Sequence, residues 1–156
     1  MLSGGRLAAQ ARYTAAVGAV IPIGGAADKI KIGYQSAVAF SFTPFQSPNR
    51  IRLEATIAEL MDKVPASTAR RITSVTANLV LASLTAPKVP AGYVIAGVGA
   101  YHQRVAGQGT DNVGFNVGAG VSFTFGAFGA FTEARLHYLI ADARTKLFPI
   151  TIGLVF

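Results

Sequence analysis

The stretch from Val113 to Phe125 alternates without an exception. Odd positions read Val, Phe, Val, Ala, Val, Phe, Phe, and even positions read Gly, Asn, Gly, Gly, Ser, Thr. Period-two alternation is the signature of a strand with one apolar face. Thirteen residues at roughly 3.3 Å each reach about 43 Å, longer than the usual strand of a soluble domain. Tilted by about 45°, such a strand crosses a bilayer with residues to spare. Its second face carries glycine, two small hydroxyls and one amide, which suits the crowded inside of a narrow barrel. The expectation is an inside-out strand with lipid against its apolar side.

Composition decides whether the rest of the chain can follow. The 156 residues are 51% hydrophobic and 13% charged, too apolar for disorder and of a size for one domain. The sequence has no unbroken run of eighteen apolar residues, so a membrane-spanning helix is excluded. A closed barrel is then the remaining route into a membrane. Seventeen glycines and ten phenylalanines fit tight turns, a crowded lumen and an apolar outer surface. The absence of cysteine removes disulfides and thiolate metal sites. The net charge of +7 is dispersed between apolar segments rather than clustered with aromatics, which favours anionic lipid headgroups over nucleic acid.

Read in order, residues 1–11 form a leader or signal-peptide remnant, and residues 12–156 form the barrel domain. Ala9-Gln10-Ala11 has the small-x-small form of a cleavage site, without the usual preceding apolar core. Alternation places strands at 13–23, 31–43, 49–60, 72–83, 92–104, 113–125, 128–140 and 148–156. A surface helix competes over Leu53–Lys63, where Glu54, Glu59 and Leu60 are good helix formers; the cleaner period-two pattern from Arg50 to Ile57 favours a strand. Connections after the second, fourth and sixth strands read as short and rich in proline or glycine. Those after the third, fifth and seventh read as polar and mostly longer, with loops at 62–71 and 106–112. This asymmetry is expected of an up-and-down membrane barrel. The fold class is therefore all-β, an eight-stranded antiparallel up-and-down transmembrane β-barrel.

The ending Phe148-Pro149-Ile150-Thr151-Ile152-Gly153-Leu154-Val155-Phe156 is similar to the C-terminal signal of bacterial outer-membrane barrels. Together with Gly97-Val98-Gly99-Ala100-Tyr101, Gly114-Phe115-Asn116-Val117-Gly118-Ala119-Gly120 and Glu133-Ala134-Arg135-Leu136-His137-Tyr138, it makes residues 13–156 resemble the small porin-like barrels of the OmpA and OmpX type. That resemblance implies a bacterial outer-membrane location. It also implies recognition of Ile150, Ile152, Gly153, Leu154 and Phe156 by the barrel-assembly machinery. Its members serve as structural proteins, adhesins, defence factors and occasionally enzymes, so the resemblance specifies architecture more than activity.

Alternation aims Gln35, Arg52, Glu54, Asn78, Asn116, Glu133, Arg135 and His137 into the lumen. Charges there must pair, because unpaired buried charge is costly. A polar network that plugs the barrel is the expected outcome, and a proton or ion path through it is the alternative. His137, one histidine with no partner at ligand spacing, makes a poor metal site; no metal or cofactor is expected. For an enzyme such as a lipid acyl transferase, the best assembly is His102 with Asp111 plus Ser67 or Ser122. Lys63, Arg70, Arg71, Arg104, Arg144 and Lys146 lie in or beside the outer loops, where lipopolysaccharide phosphates would meet them. Tyr34, Phe40, Phe42, Phe123, Phe125, Phe128 and Tyr138 are candidates for aromatic girdles. The expectation is a monomer with a structural or surface-interaction role, contacting outer-membrane lipid and no nucleic acid. The rival readings are a narrow pore, a lipid-modifying enzyme and a soluble lipocalin-like barrel.

Overall fold

The period-two segments fold into eight strands: β1 (Arg12–Ile23), β2 (Gly33–Phe42), β3 (Arg50–Met61), β4 (Ala69–Ala82), β5 (Ala91–Val105), β6 (Gln108–Phe125), β7 (Phe128–Leu139) and β8 (Lys146–Val155). The computed structural model describes residues 11–44, 49–63, 69–82, 90–126, 128–140 and 145–156. Each strand pairs antiparallel with its neighbours in chain order, and β1 pairs with β8 to close the barrel. Tyr13 N–H donates to Phe156 O at 3.2 Å and Phe156 N–H returns to Tyr13 O at 2.9 Å, so the seam is laddered to the last residue. Closure leaves no sheet edge, the condition for a sheet to sit in hydrocarbon. Among the described residues no helix is long and apolar enough to cross a membrane.

The two faces are inverted relative to a soluble domain. Val17, Val38, Val75, Val98 and Ile152 stand outward at 61–65% exposure, on every side of the barrel. Arg52, Glu54, Asn78, Asn116, Glu133 and Arg135 are buried inside. Exposed apolar surface on this scale is foreign to a soluble monomer and calls for an apolar solvent. A lipocalin-like barrel would carry the opposite assignment of faces.

Several boundaries differ from the sequence expectation, each for a physical reason. The expected loop at 106–112 is a hairpin whose turn is Ala106-Gly107. Both turn residues have positive φ, 49° and 83°, as a type I′ turn requires. Gln108 to Asn112 look loop-like by composition but continue β6 beyond the apolar zone, where an outward side chain gains nothing from being greasy. Ala69, Arg70 and Arg71 likewise belong to β4, and the segment 53–61 is strand throughout. The loop-length asymmetry is not present. The connections at 43–49 and 83–90 are comparable with those at 24–32, 62–68 and 140–145, and each end has one two-residue connection, at 106–107 and 126–127.

The connection at 24–32 folds over the mouth opposite the termini. It begins with a 3₁₀ turn, Gly24–Ala26, and Ile30 bridges to Asp62 beyond β3. Lys31 N–H donates to Met61 O at 2.8 Å, and Lys63 N–H donates to Lys29 O at 2.6 Å. Ala26 and Ile30 are thereby pushed into a cluster with Val20, Leu60, Ile72, Leu139 and Leu147. In the up-and-down topology expected from the sequence, with both termini at the opposite end, this is the outer mouth.

Candidate functional site

Three tiers fill the lumen. At the outer mouth is the apolar cluster just described. Beneath it Tyr101 on β5 meets His137 on β7: the phenol oxygen lies 2.9 Å from Nδ1, and the rings are edge-on at 5.8 Å. Below that lies a quartet of charges contributed by β3 and β7, strands on opposite sides of the wall. Arg135 donates Nη1–H to Glu54 Oε1 at 2.9 Å and Nη2–H to Glu54 Oε2 at 2.8 Å, a bidentate fork. Its Nε–H also bonds Glu133. Arg52 completes the cycle, donating to Glu133 Oε2 at 2.9 Å and lying 3.9 Å from Glu54. Two positive and two negative groups thus neutralise one another where water is scarce, and each carboxylate faces both guanidinium groups.

Neutral groups frame the quartet. Tyr93 O–H donates to Glu133 Oε2 at 2.7 Å. The Arg52 guanidinium carbon lies 5.8 Å from the Tyr93 ring centre and 5.5 Å from that of Phe131, within cation–π range. Asn116 donates to Asn78 at 2.9 Å, and Asn78 donates to Thr76 Oγ1 at 2.9 Å and to the Arg52 carbonyl at 3.3 Å. Gln35 faces the same space beside Glu54, Thr56, Arg135 and His137, where the remaining cavity is about 10 Å³, roughly one water.

The residues singled out for other chemistry scatter. His102 and Asp111 are cross-strand partners, and Nδ1–H of His102 donates to Asp111 Oδ1 at 2.6 Å. The pair points outward, with Asp111 exposed. Ser122 is near the opposite end of β6, bonded to the Ala91 carbonyl at 3.2 Å, so the structure does not bring it to the pair. Ser67 lies outside the described residues.

The six outer-rim cations also separate. Arg70 turns inward to Asp62 at 3.1 Å, because adjacent strand positions face opposite sides. Lys63 Nζ donates to the Ala27 carbonyl at 2.6 Å, and Lys146 lies 5.7 Å from the Tyr138 ring centre. Arg71 bonds Glu59 at 3.0 and 2.6 Å, and Arg104 is exposed beside it. Arg144 lies outside the described residues.

Solved structures of similar shape share this arrangement of strands. Neisserial surface protein A superposes with a TM-score of 0.70 at 14% identity, covering 93% of this chain and 94% of the other. A major outer membrane protein from Thermus thermophilus gives 0.60 at 11% identity over 94% and 98%. The N-terminal β-barrel domain of Pseudomonas aeruginosa OprF gives 0.56 at 17% identity over 94% and 97%. The fold is that of the small outer-membrane barrels. Neither a protein-family model nor a curated protein matches the sequence.

Within this outer-membrane-barrel fold, sequence reasoning missed the apolar tier and the aromatic floor formed by Tyr93 and Phe131. A signal for the former was present: the inward series of β1, β3, β4, β7 and β8 each turn apolar at the outer end, in Val20, Leu60, Ile72, Leu139 and Leu147. The C-terminal residues Ile150, Ile152, Leu154 and Phe156 form an outward apolar row, while Gly153 faces inward, where a Cβ would meet the Phe131 ring carbon Cζ at 2.6 Å.

Gly118 has a comparable role on β6. A Cβ there would stand 2.8 Å from Arg135 Cγ and Cα, in the space Arg135 uses to cross the lumen. Gly118→Val is expected to displace that guanidinium and destabilise the barrel by about 1–3 kcal/mol through overpacking. Gly92→Val, at a site with nothing within 4 Å of a Cβ, is the control. Urea midpoints for the two variants in lipid vesicles check this, and equal midpoints refute it.

Proposed function

We propose that this chain is a sealed barrel of a Gram-negative-type outer membrane with a structural or surface-interaction role, neither a channel nor an enzyme. The observation that carries the reading is the continuous filling of the lumen, from the apolar cluster through Tyr101–His137 to the Arg52–Glu54–Glu133–Arg135 quartet. An ion crossing this path would have to break a compensated charge cycle and then enter an apolar tier, which is costly in a low-dielectric space. The outward apolar band supports the location, because only lipid covers it on all sides at once. On this reading, the barrel-assembly machinery recognises the row Ile150, Ile152, Leu154 and Phe156. Outer-membrane lipid and lipopolysaccharide are the immediate surroundings. The interaction surface on this reading is the outer rim, since the described residues around the quartet leave a cavity of only about 10 Å³.

Gel mobility and conductance test this together. Refolded into detergent or lipid, the unboiled chain is expected to migrate faster than the boiled chain, as a barrel that resists the gel detergent does. In planar bilayers it is expected to give no unitary conductance steps. Regular steps that depend on protein concentration would overturn the sealed reading. A chain that stayed monomeric without detergent and showed no shift would overturn the membrane reading.

A further inference from the structure

Among the described residues the outward wall carries two apolar grooves, one of about 850 Å³ across β7, β8, β1 and β2 and one across β2 to β6, and only the second has a cluster of charge at its head. Ser36, Ala55, Thr73 and Ala100 place short side chains beside the taller Ile57 and Val75, leaving a groove of about 750 Å³. An acyl chain lying in such a groove meets wall atoms on more than one side and so makes more dispersion contacts than it would on a flat face.

Cross-strand register places charge at the head of that groove. Glu59, Arg71 and Arg104 are successive partners across β3, β4 and β5, so their side chains stand in one outward row. The next outward row below is Ile57, Thr73 and His102, which opens the groove. Above it, Glu59, Arg71, Arg104 and the Ala106-Gly107 turn border a second hollow of about 480 Å³. Glu59 is shared: Tyr34 O–H bonds one carboxylate oxygen and Arg71 the other. Arg71 is thereby held on its β3 side, while the side chain of Arg104, on its β5 side, has no hydrogen-bond or ion-pair partner among the described residues. Asp111, the nearby carboxylate one row lower on β6, is engaged by His102. Two guanidinium groups against one shared carboxylate leave an excess positive charge above an apolar channel.

We propose that Arg71, Arg104 and the groove beneath them form a seat for one phosphorylated, acylated membrane lipid, with its phosphate on the arginines and an acyl chain along Ala55 and Ala100. The proposal rests on the membrane reading above and deepens it. Of the five rim cations among the described residues, it selects Arg104 and Arg71, which face outward over the groove, Arg71 sharing its charge with Glu59; it leaves out Arg70, Lys63 and Lys146, which turn to Asp62, the Ala27 carbonyl and the Tyr138 ring. Guanidinium planes suit phosphate oxygens through paired N–H donors, and the groove supplies the apolar area that a free phosphate ion does not use.

The test uses the full chain refolded in detergent micelles, with lipid A as the probe and native mass spectrometry as the readout. Arg71→Gln with Arg104→Gln is expected to weaken lipid A retention by at least about tenfold, the equivalent of one charge-assisted hydrogen bond. Ala100→Phe, which fills the groove and leaves the rim intact, is expected to weaken it as well. Lys146→Gln is expected to leave it unchanged. Displacement of lipid A by millimolar inorganic phosphate would reassign the site to a free anion and overturn the lipid seat. Equal retention by wild type and both groove-site variants, in preparations that keep the heat-dependent gel shift, would overturn the seat alone. Loss of that shift in the wild type would overturn the membrane reading and the seat with it.

Discussion

Replacing Arg135 with methionine is expected to destabilise the barrel by about 3–5 kcal/mol, the cost of removing one partner from a buried ionic network. The substitution keeps most of the volume and removes the fork on Glu54 together with the bond to Glu133. Glu133 retains Arg52 and Tyr93, but Glu54 is left with only the 3.9 Å approach of Arg52. One guanidinium would then face two buried carboxylates. Arg135→Lys should fall between wild type and Arg135→Met, because an ammonium keeps the charge and loses the planar fork. Replacing all four members together, with Met for Arg52 and Arg135 and Leu for Glu54 and Glu133, is expected to cost little or to stabilise, since no charge is left uncompensated. Urea titration in lipid vesicles, read by the heat-dependent gel shift, measures all three. A cost below about 1 kcal/mol for Arg135→Met would mean that solvent reaches the quartet, and the sealed lumen would be wrong.

Which side chains face the lumen was legible in the sequence because alternation alone sets it. Arg52 and Glu54, or Glu133 and Arg135, are two apart and must share a face. Which of them bond was not legible, since Arg52 and Glu133 are 81 residues apart and meet only once the sheet has closed. The strand ends were least visible where they leave the apolar zone. Gln108 to Asn112 have no greasy face to betray β6, and a two-residue turn at Ala106-Gly107 is hard to see when one of its positive-φ positions is an alanine. The same locality explains Arg70 and Arg71: as loop residues they are interchangeable, whereas in a strand one must turn in and the other out. His102 and Asp111 stood out by type. Their contact follows from the register of a hairpin whose turn had to be placed first.

The second large effect concerns the outside. Val98 is midway along β5, outward and 65% exposed, next to Ala77 on β4 and Phe115 on β6. Val98→Arg is expected to destabilise the refolded barrel by about 2–4 kcal/mol, the cost of an arginine on the lipid face near the bilayer midplane. On a water-facing strand the same change at an exposed site would fall within about 0.5 kcal/mol. Arg104→Leu, six residues along the same strand at the rim, gives the depth control and should change stability by less than about 1 kcal/mol. Urea midpoints in vesicles of one defined lipid make the comparison. Equal tolerance at positions 98 and 104 would mean that the apolar band meets something other than hydrocarbon.

The seam between β1 and β8 couples the first described strand to the last. Until Phe156 reaches Tyr13, β1 and whichever strand has most recently joined each carry a row of unpaired backbone groups, which in hydrocarbon has no partner and in water invites another chain. Closing the sheet requires a contact between segments nearly the whole sequence apart, and a seven-stranded sheet still has two edges without it. A barrel built this way has a high contact order and a slow, unprotected interval before it locks. Shielding the two open edges before the ends meet is therefore a separate requirement from the stability of the closed barrel.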